Sequence, residues 1–176
     1  MRLNEPLTFL TDAILAAAAA TFGVLLWRRG NRPWAIAFFF TAAGSFLGGT
    51  YHGFGGTWIW IATVYCIGLA SLFLLLPFLR VTAIAIFLVY AAWMTLHYDK
   101  FVWVIVDYGV TMLLLVIVMR SRWMTASLLA SIAAAIAQQT PIPFHNDLYH
   151  AIQLAGLWLL YRAGVESRLQ PDPATG

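Results

Sequence analysis

The chain has 176 residues, of which 62% are hydrophobic and 10% are charged, whereas a soluble domain carries about 25% charged residues. This composition predicts a protein that lies within a lipid bilayer. The net charge of +3 comes without a basic run or an aromatic RNA motif, so nucleic acid is not an expected partner. The one cysteine, Cys66, excludes an intramolecular disulfide and a zinc cluster built on cysteines.

Apolar runs that end at Arg, Pro, Gly or polar clusters divide the sequence into seven predicted membrane-spanning helices. They cover residues 6–27, 34–53, 57–76, 81–97, 101–119, 123–139 and 144–162. The run "AILAAAAA" in the first helix is similar to the core of a signal peptide. Asp12 interrupts that helix, however, and the apolar run continues to Trp27, so we expect a retained span. The prediction is one domain over residues 1–176, an all-α membrane protein with a seven-transmembrane helix bundle.

Positive charges are distributed unevenly between the two ends of these helices. The end with the N-terminus carries Arg2 and Lys100. The other end carries eight arginines: Arg28, Arg29, Arg32, Arg80, Arg120, Arg122, Arg162 and Arg168. Because positively charged loops stay in the cytoplasm, we expect the N-terminus outside and the C-terminus in the cytoplasm. This bias and the short loops suit a bacterial inner (plasma) membrane.

The remaining polar residues collect at the predicted outer end. All four histidines and five of the seven acids lie there: His52, His97, His145, His150, Glu5, Asp12, Asp99, Asp107 and Asp147. Asp12 and Asp107 are about two turns inside their helices, roughly 9 Å from the helix ends. An Asp at the centre of a bilayer costs about 2.5–3.5 kcal/mol. Both are therefore predicted to face the bundle interior, with polar partners.

The second span combines two small-xxx-small glycine pairs with one histidine, in "GSFLGGTYHGFGG". Such glycines let a neighbouring helix approach closely. Ser45 and His52 are seven residues apart and share a helix face. The segment is either a packing seam with an interfacial histidine, or a seam that brings His52, with Ser45 deeper, into a pocket.

The seventh span opens with two histidines whose spacing matters. His145 and His150 are five residues apart, which on a regular helix separates them by about 140°. They meet one ligand only if His145 lies in an irregular first turn, which the nearby Pro141 and Pro143 allow. Asp147 shares a face with His150. By contrast, the histidine and aspartate of "TLHYDK" are interpreted as interfacial residues.

Histidines and buried acids at one membrane face indicate a metal site. Three imidazoles with an open position form the usual catalytic zinc arrangement, and zinc lowers the pKa of a bound water to about 7. The candidate ligands are His52, His145 and His150. Asp12 or Asp107 would act as general base or orient a ligand. Ser45 could donate a hydrogen bond to a developing oxyanion.

These features resemble the CREST superfamily of alkaline ceramidases and progestin/adipoQ receptors. The resemblance rests on seven spans, on a Gly/Ser-rich second helix that ends in a histidine, on the paired histidines of the seventh, and on the acidic "NEPLTFLTDAILA" of the first. It implies zinc bound by the three histidines and hydrolysis of a lipid amide such as a ceramide. Asn146 occupies the position four before His150 where the family has a histidine, and Asp107 would substitute for an acid missing after the second helix.

The favoured interpretation is a zinc-dependent integral membrane hydrolase. It would cleave a lipid amide or ester from the outer leaflet, with metal-bound water as the nucleophile and the site facing the periplasm or exterior. The alternatives are a small proton-coupled transporter that uses Asp12, Asp107 and His150, a haem-binding protein, and a non-catalytic metal-binding or sensing protein.

Overall fold

The computed structural model describes residues 4–167, which form seven α-helices and no strand. They are α1 (Pro6–Arg28), α2 (Arg32–Phe54), α3 (Thr57–Leu75), α4 (Arg80–His97), α5 (Val102–Met119), α6 (Arg122–Gln138) and α7 (His145–Glu166). The prediction of seven helices is confirmed. Their bounds differ from the predicted ones by one or two residues, except that α7 continues four residues further. Arg2 and Arg168 of the charge count lie outside the described residues.

Local sequence explains where several helices begin and end. Gly55 and Gly56 separate α2 from α3 with φ angles of 77° and 112°, a backbone conformation that side chains with a Cβ rarely adopt. A proline stands in the first turn of α1 and of α2, where its missing N–H costs no helical hydrogen bond. Arg120 ends α5 in the left-handed conformation.

Six of the seven helices form a closed ring. α1 packs against α2 and α7, α2 packs against α3, and α3 packs against α5; α6 closes the ring by packing against both α5 and α7. α4 packs mainly against α3, with only a small contact to α5. It therefore lies outside the ring, and the ring encloses the interior of the bundle.

The two ends of the bundle differ in chemistry. We call the end where α1, α3, α5 and α7 begin the histidine end, because all four histidines lie there, and the opposite end the arginine end. At the histidine end, the backbone N–H of Asn4 donates to the carbonyl of Gly53 at 3.1 Å. At the arginine end, the side chain of Asn31 donates to the carbonyl of Gly164 at 2.8 Å. The first and the last turns of the described segment, residues 4–167, are thus held by hydrogen bonds to α2 and to the residue that precedes it.

The outer surface of the bundle is strongly apolar. Trp58, Val81 and Leu96 are at least three-quarters exposed, and many other large apolar side chains face outward. Four helices, α1, α3, α4 and α5, are long and apolar enough to cross a membrane. An apolar exterior of this extent marks a surface that contacts lipid or protein rather than water.

The interior is packed most densely toward the arginine end. Large side chains there are fully buried, among them Leu26, Trp34, Phe38, Met112 and Leu160. Toward the histidine end the interior instead holds polar side chains and a cavity. The site therefore lies in the histidine half of the ring.

Candidate functional site

A buried aspartate–histidine pair joins α1 to α7 at the histidine end. Asp12 is 5% exposed and His150 is 8% exposed, and Oδ1 of Asp12 lies 3.3 Å from Nε2 of His150. The prediction that Asp12 faces the bundle interior is confirmed. The other ring nitrogen, Nδ1, lies 2.9 Å from Oγ1 of Thr11, so both nitrogens of His150 contact α1.

Asp147 completes the contact between the two helices. Its Oδ1 accepts from the hydroxyl of Thr8 at 3.3 Å and lies 3.5 Å from that of Thr11. Asp147 and His150 thus share the face of α7 that the sequence spacing predicted. The Thr11 hydroxyl also donates to the carbonyl of Thr8 at 3.0 Å. Because a hydroxyl carries one hydrogen, Thr11 accepts from Nδ1–H of His150 when it donates to Thr8, and only the neutral form of His150 then has a lone pair on Nε2.

Glycines of α2 bring its backbone against Asp12. A Cβ placed on Gly49 would lie 2.8 Å from the Cβ of Asp12 and 3.3 Å from the carbonyl oxygen of Phe9. A Cβ on Gly48 would lie 3.9 Å from Oδ2 of Asp12. The predicted role of these glycines in close packing is therefore confirmed, and α2 forms one wall of the site.

His52 lies one turn beyond Gly48 on α2. Its Nδ1 is 3.1 Å from Oε2 of Glu5, whose side chain is half exposed. His52 is close enough to His150 for their charges to interact. We call Asp12, His52, His150 and their partners Thr11 and Asp147 the histidine-end cluster.

Oδ2 of Asp12 is buried and makes no hydrogen bond with any described residue. A buried carboxylate oxygen without a partner is costly, so this atom is the least satisfied part of the histidine-end cluster. It faces Gly48 of α2, on the side of the cluster where His52 lies.

The structure does not bring His145 to this cluster. α7 is helical from His145 onward, so no irregular first turn rotates that ring toward His150. Its Nδ1 instead lies 2.8 Å from the carbonyl oxygen of Ile142. Within residues 4–167, no three His, Cys, Asp or Glu side chains are grouped as metal ligands would be.

Asp107 is buried, as predicted, but in a different part of the protein. It is 7% exposed and lines a narrow pocket between α3, α4 and α5, beside Ser71 and Thr111. His97 lies on α4, where its ring contacts Trp93 at 4.4 Å between centroids. Because α4 is outside the ring, His97 is remote from the pair formed by α1 and α7.

A cavity of about 150 Å³ occupies the centre of the ring. All six ring helices line it, and none of its lining residues comes from α4. Most of its wall is apolar, for example Leu15, Ile67, Val104, Leu128 and Leu157. Neither Asp12 nor His150 lines it; the lining residues nearest to them in the sequence are Leu15, one turn deeper than Asp12 on α1, and Tyr149, which precedes His150 on α7. Ser45 lines this cavity, about 10 Å deeper along α2 than His52.

One side of the cavity carries polar groups that the sequence did not single out. Nε2 of Gln153 donates to the hydroxyl of Tyr149 at 3.4 Å, and Ser131 donates to Oε1 of Gln153 at 3.5 Å. Tyr108 of α5 lies beside Ser131. The signal available in the sequence was a glutamine one turn after His150 on an otherwise apolar stretch of α7.

A model of the family DUF6962, described as a family of unknown function, matches residues 7–169. The chain belongs to this family. No curated protein and no solved structure matches it. The matched segment contains the whole histidine-end cluster and the cavity, so both lie within the DUF6962 domain. The family description names no activity, and the resemblance to the CREST superfamily stays a prediction from the residues.

Proposed function

We propose that this DUF6962 protein is a membrane-embedded, zinc-dependent hydrolase of a lipid amide or ester. The observation that carries the proposal is the buried Asp12–His150 pair in the same half of a ring of helices that encloses a mainly apolar cavity. A lipid whose reacting carbonyl lies at the pair would place the first part of its acyl chain in the cavity, because about 150 Å³ holds a group of roughly six carbons; binding sites of this kind combine an apolar wall with a few polar groups.

The proposal includes the membrane topology. The helices of the ring are 17–23 residues long, which corresponds to about 26–35 Å, close to the thickness of a bilayer core. Since α2, α6 and α7 pack in one ring with the apolar α1, α3 and α5, we infer that all seven helices cross the membrane. The arginine end then lies in the cytoplasm, and the histidine end faces the periplasm or exterior of a bacterial plasma membrane.

The donor atoms of the histidine-end cluster fit zinc, which takes imidazole nitrogens and carboxylate oxygens. Two ligands of one tetrahedral zinc, each about 2.0–2.1 Å from the ion, lie about 3.3 Å apart. Nε2 of His150 and Oδ1 of Asp12 have this separation of 3.3 Å, and Oδ2 of Asp12 has no partner among the described residues. We assign His52 as the third ligand; it would leave its contact with Glu5 and move toward the pair, since no three such side chains among residues 4–167 are already grouped as metal ligands would be. Asp12 thus takes the place that the sequence predicted for His145.

Bound zinc would supply a Lewis acid and a nucleophile that is active at neutral pH. The chain's own residues have three tasks. Thr11 holds Nδ1 of His150 and so directs Nε2 toward Asp12, the orienting role that a partner of a metal-bound histidine usually has. Glu5 is half exposed and bonded to His52, which suits it to exchange protons between the cluster and water. The cavity wall excludes water from the acyl chain.

This proposal gives Ser45 and Asp107 roles that differ from the predicted catalytic ones. Ser45 faces the cavity well below the pair, where it would contact the acyl chain and not a developing oxyanion. Asp107 faces the pocket between α3, α4 and α5 and takes no part in the reaction.

Proton-coupled transport is the second candidate function. It is favoured by Asp107, because Oδ2 of Asp107 and the hydroxyl of Ser71 are buried side by side and bond to no other described residue. Buried acids of this kind mark proton relays in membrane proteins. The dense apolar packing at the arginine end speaks against it, since a path across the bundle needs polar groups in both halves.

The test is zinc content and lipid hydrolysis of the full-length protein purified in detergent. Zinc is measured by elemental mass spectrometry, and the fatty acid released from N-acyl and O-acyl lipids is quantified. We expect one zinc per chain and hydrolysis of at least one lipid class, with both lost in Asp12→Asn and His150→Gln. His145→Gln is the matched control and should keep both. Thr11→Val should lower activity by about 10–100-fold, the usual effect of losing the partner of a metal-bound histidine.

Circular dichroism and gel filtration establish that each variant is folded. Folded wild-type protein that binds no zinc and releases no fatty acid from any lipid would contradict the proposal. Loss of zinc in His145→Gln, with retention in Asp12→Asn, would support the three-histidine ligand set instead. Proton uptake into vesicles that disappears in Asp107→Asn would favour transport.

A further inference from the structure

The polar side of the central cavity bears on which acyl chain the site accepts. Gln153 of α7 is its centre, with Tyr149 on the same helix, Ser131 on α6 and Tyr108 on α5. We call these four residues the Gln153 group. All four line the cavity, whose other walls are mainly apolar.

The hydrogen bonds of the Gln153 group are long. The two bonds of the Gln153 amide measure 3.4 and 3.5 Å, whereas protein N–H···O and O–H···O bonds are usually about 2.7–3.2 Å. A side-chain amide offers two donor hydrogens and two acceptor lone pairs, and here each end of Gln153 has one weak partner. The amide therefore retains hydrogen-bonding capacity toward the cavity. A chain of methylenes alone would leave this capacity unused at a cost.

The position of Gln153 on α7 determines how far it lies from His150 along the helix axis. It is three residues beyond His150 on a regular helix, which places it about 4.5 Å further along the axis. An acyl chain whose carbonyl lies at the Asp12–His150 pair would pass Gln153 with the first few carbons of the chain. Deeper in the cavity, the α7 wall is formed by Leu157, which is apolar.

We infer that the cavity selects an acyl chain with a hydroxyl close to the carbonyl, of which a 3-hydroxyacyl chain is the representative. This inference rests on the proposed function for the position of the carbonyl. The hydroxyl would donate to Oε1 of Gln153 or accept from its Nε2, which an unsubstituted chain does not do. Sites built to hydrogen-bond a hydroxyl discriminate against analogues that lack it, because their own polar groups are then left unpaired.

The experiment measures binding and does not depend on hydrolysis. Full-length protein in detergent is loaded with a fluorescent fatty acid, which is displaced by tetradecanoic acid, by 3-hydroxytetradecanoic acid, or by an isomer with the hydroxyl near the far end of the chain. We expect the 3-hydroxy acid to bind about threefold to tenfold more tightly than the other two, the effect of one net hydrogen bond.

Two variants test whether the Gln153 group is responsible. Gln153→Leu keeps the size of the side chain and removes the amide. The affinity for 3-hydroxytetradecanoic acid relative to that for tetradecanoic acid should therefore fall to a ratio of about one. Tyr149→Phe removes only a hydroxyl and should reduce the ratio, and it serves as the test if Gln153→Leu does not fold. A ratio that stays at the wild-type value in the folded variant would overturn the assignment.

The outcomes separate this inference from the proposed function. Equal affinities for the acids in the wild-type protein would overturn the inference, even if zinc-dependent hydrolysis is observed. A preference for the 3-hydroxy acid that depends on Gln153, in a protein that hydrolyses no lipid, would support the chain selectivity and overturn the hydrolase. No displacement by any of the acids would overturn the acyl site itself.

Discussion

Replacement of Gly49 by alanine tests the close approach of α1 to α2, on which the site depends. The added Cβ would lie 2.8 Å from the Cβ of Asp12, whereas carbon atoms in contact are about 3.5–4.0 Å apart. The distance between these two carbons would therefore be at least about 0.7 Å shorter than a normal contact. The carbonyl oxygen of Phe9, at 3.3 Å, blocks the adjacent space. Neither obstacle is the flexible end of a side chain, so α1 must move as a whole.

Gly48→Ala is the matched control. Its Cβ would have the side chain of Thr63 as nearest neighbour, at 3.5 Å, which is an ordinary contact. Both variants gain the same helix propensity, about 0.8–1 kcal/mol for Ala over Gly, and this contribution cancels in the comparison. The difference between them is then the cost of overpacking, about 1–3 kcal/mol, with Gly49→Ala the less stable.

The free energies of unfolding can be measured by titration with a denaturing detergent in mixed micelles, with tryptophan fluorescence as the signal. Gly49→Ala should also lose zinc, because displacement of α1 separates Asp12 from His150, while Gly48→Ala should retain it. Equal stabilities, within about 0.5 kcal/mol, would refute the proposed spacing of α1 and α2.

Three further predictions concern the cavity and the surroundings of the site. Gly109→Leu should abolish fatty acid binding. A Cβ at Gly109 meets no atom within 4 Å, so the leucine side chain would extend into the cavity that Gly109 lines and fill it. The control Val110→Leu, on the outward face of α5, should leave binding unchanged. Asp107→Asn should change the rate of lipid hydrolysis by less than about twofold, since Asp107 lies in a separate pocket. A large loss of activity would show that Asp107 takes part in the reaction. Tyr90→Phe removes a buried hydrogen bond of 2.8 Å to the carbonyl of Val64 and should lower stability by about 1 kcal/mol without affecting hydrolysis, as equilibrium unfolding and the fatty acid assay would show.

The helices and the location of the polar residues were predictable from the sequence. Apolar runs of span length and the residues that end them are local signals, and the helix bounds agree with them closely. The burial of Asp12 was predictable as well, because a carboxylate in an apolar helix is too costly to face lipid. The alternation of helix direction then brings the histidines to one end of the bundle.

The partners of those residues were not predictable. Asp12 and His150 are 138 positions apart in the sequence and meet because α7 closes the ring against α1. The same closure directs Gln153 into the central cavity, although nothing near it in the sequence marks it as a cavity residue. Helix periodicity tells which residues share a face but not which neighbour that face contacts.

By itself, the sequence determined the all-helical fold, the seven helices with their apolar character, and the end of the bundle where the polar groups collect. These follow from local hydrophobicity and from the cost of burying charge, which each segment carries on its own. The tertiary structure alone decided that Asp12 pairs with His150, that His145 and Asp107 lie apart from this pair, and that the ring encloses a cavity. Those features depend on the order in which the helices pack around the ring, with α4 outside, and that order arises from contacts between segments remote in the chain.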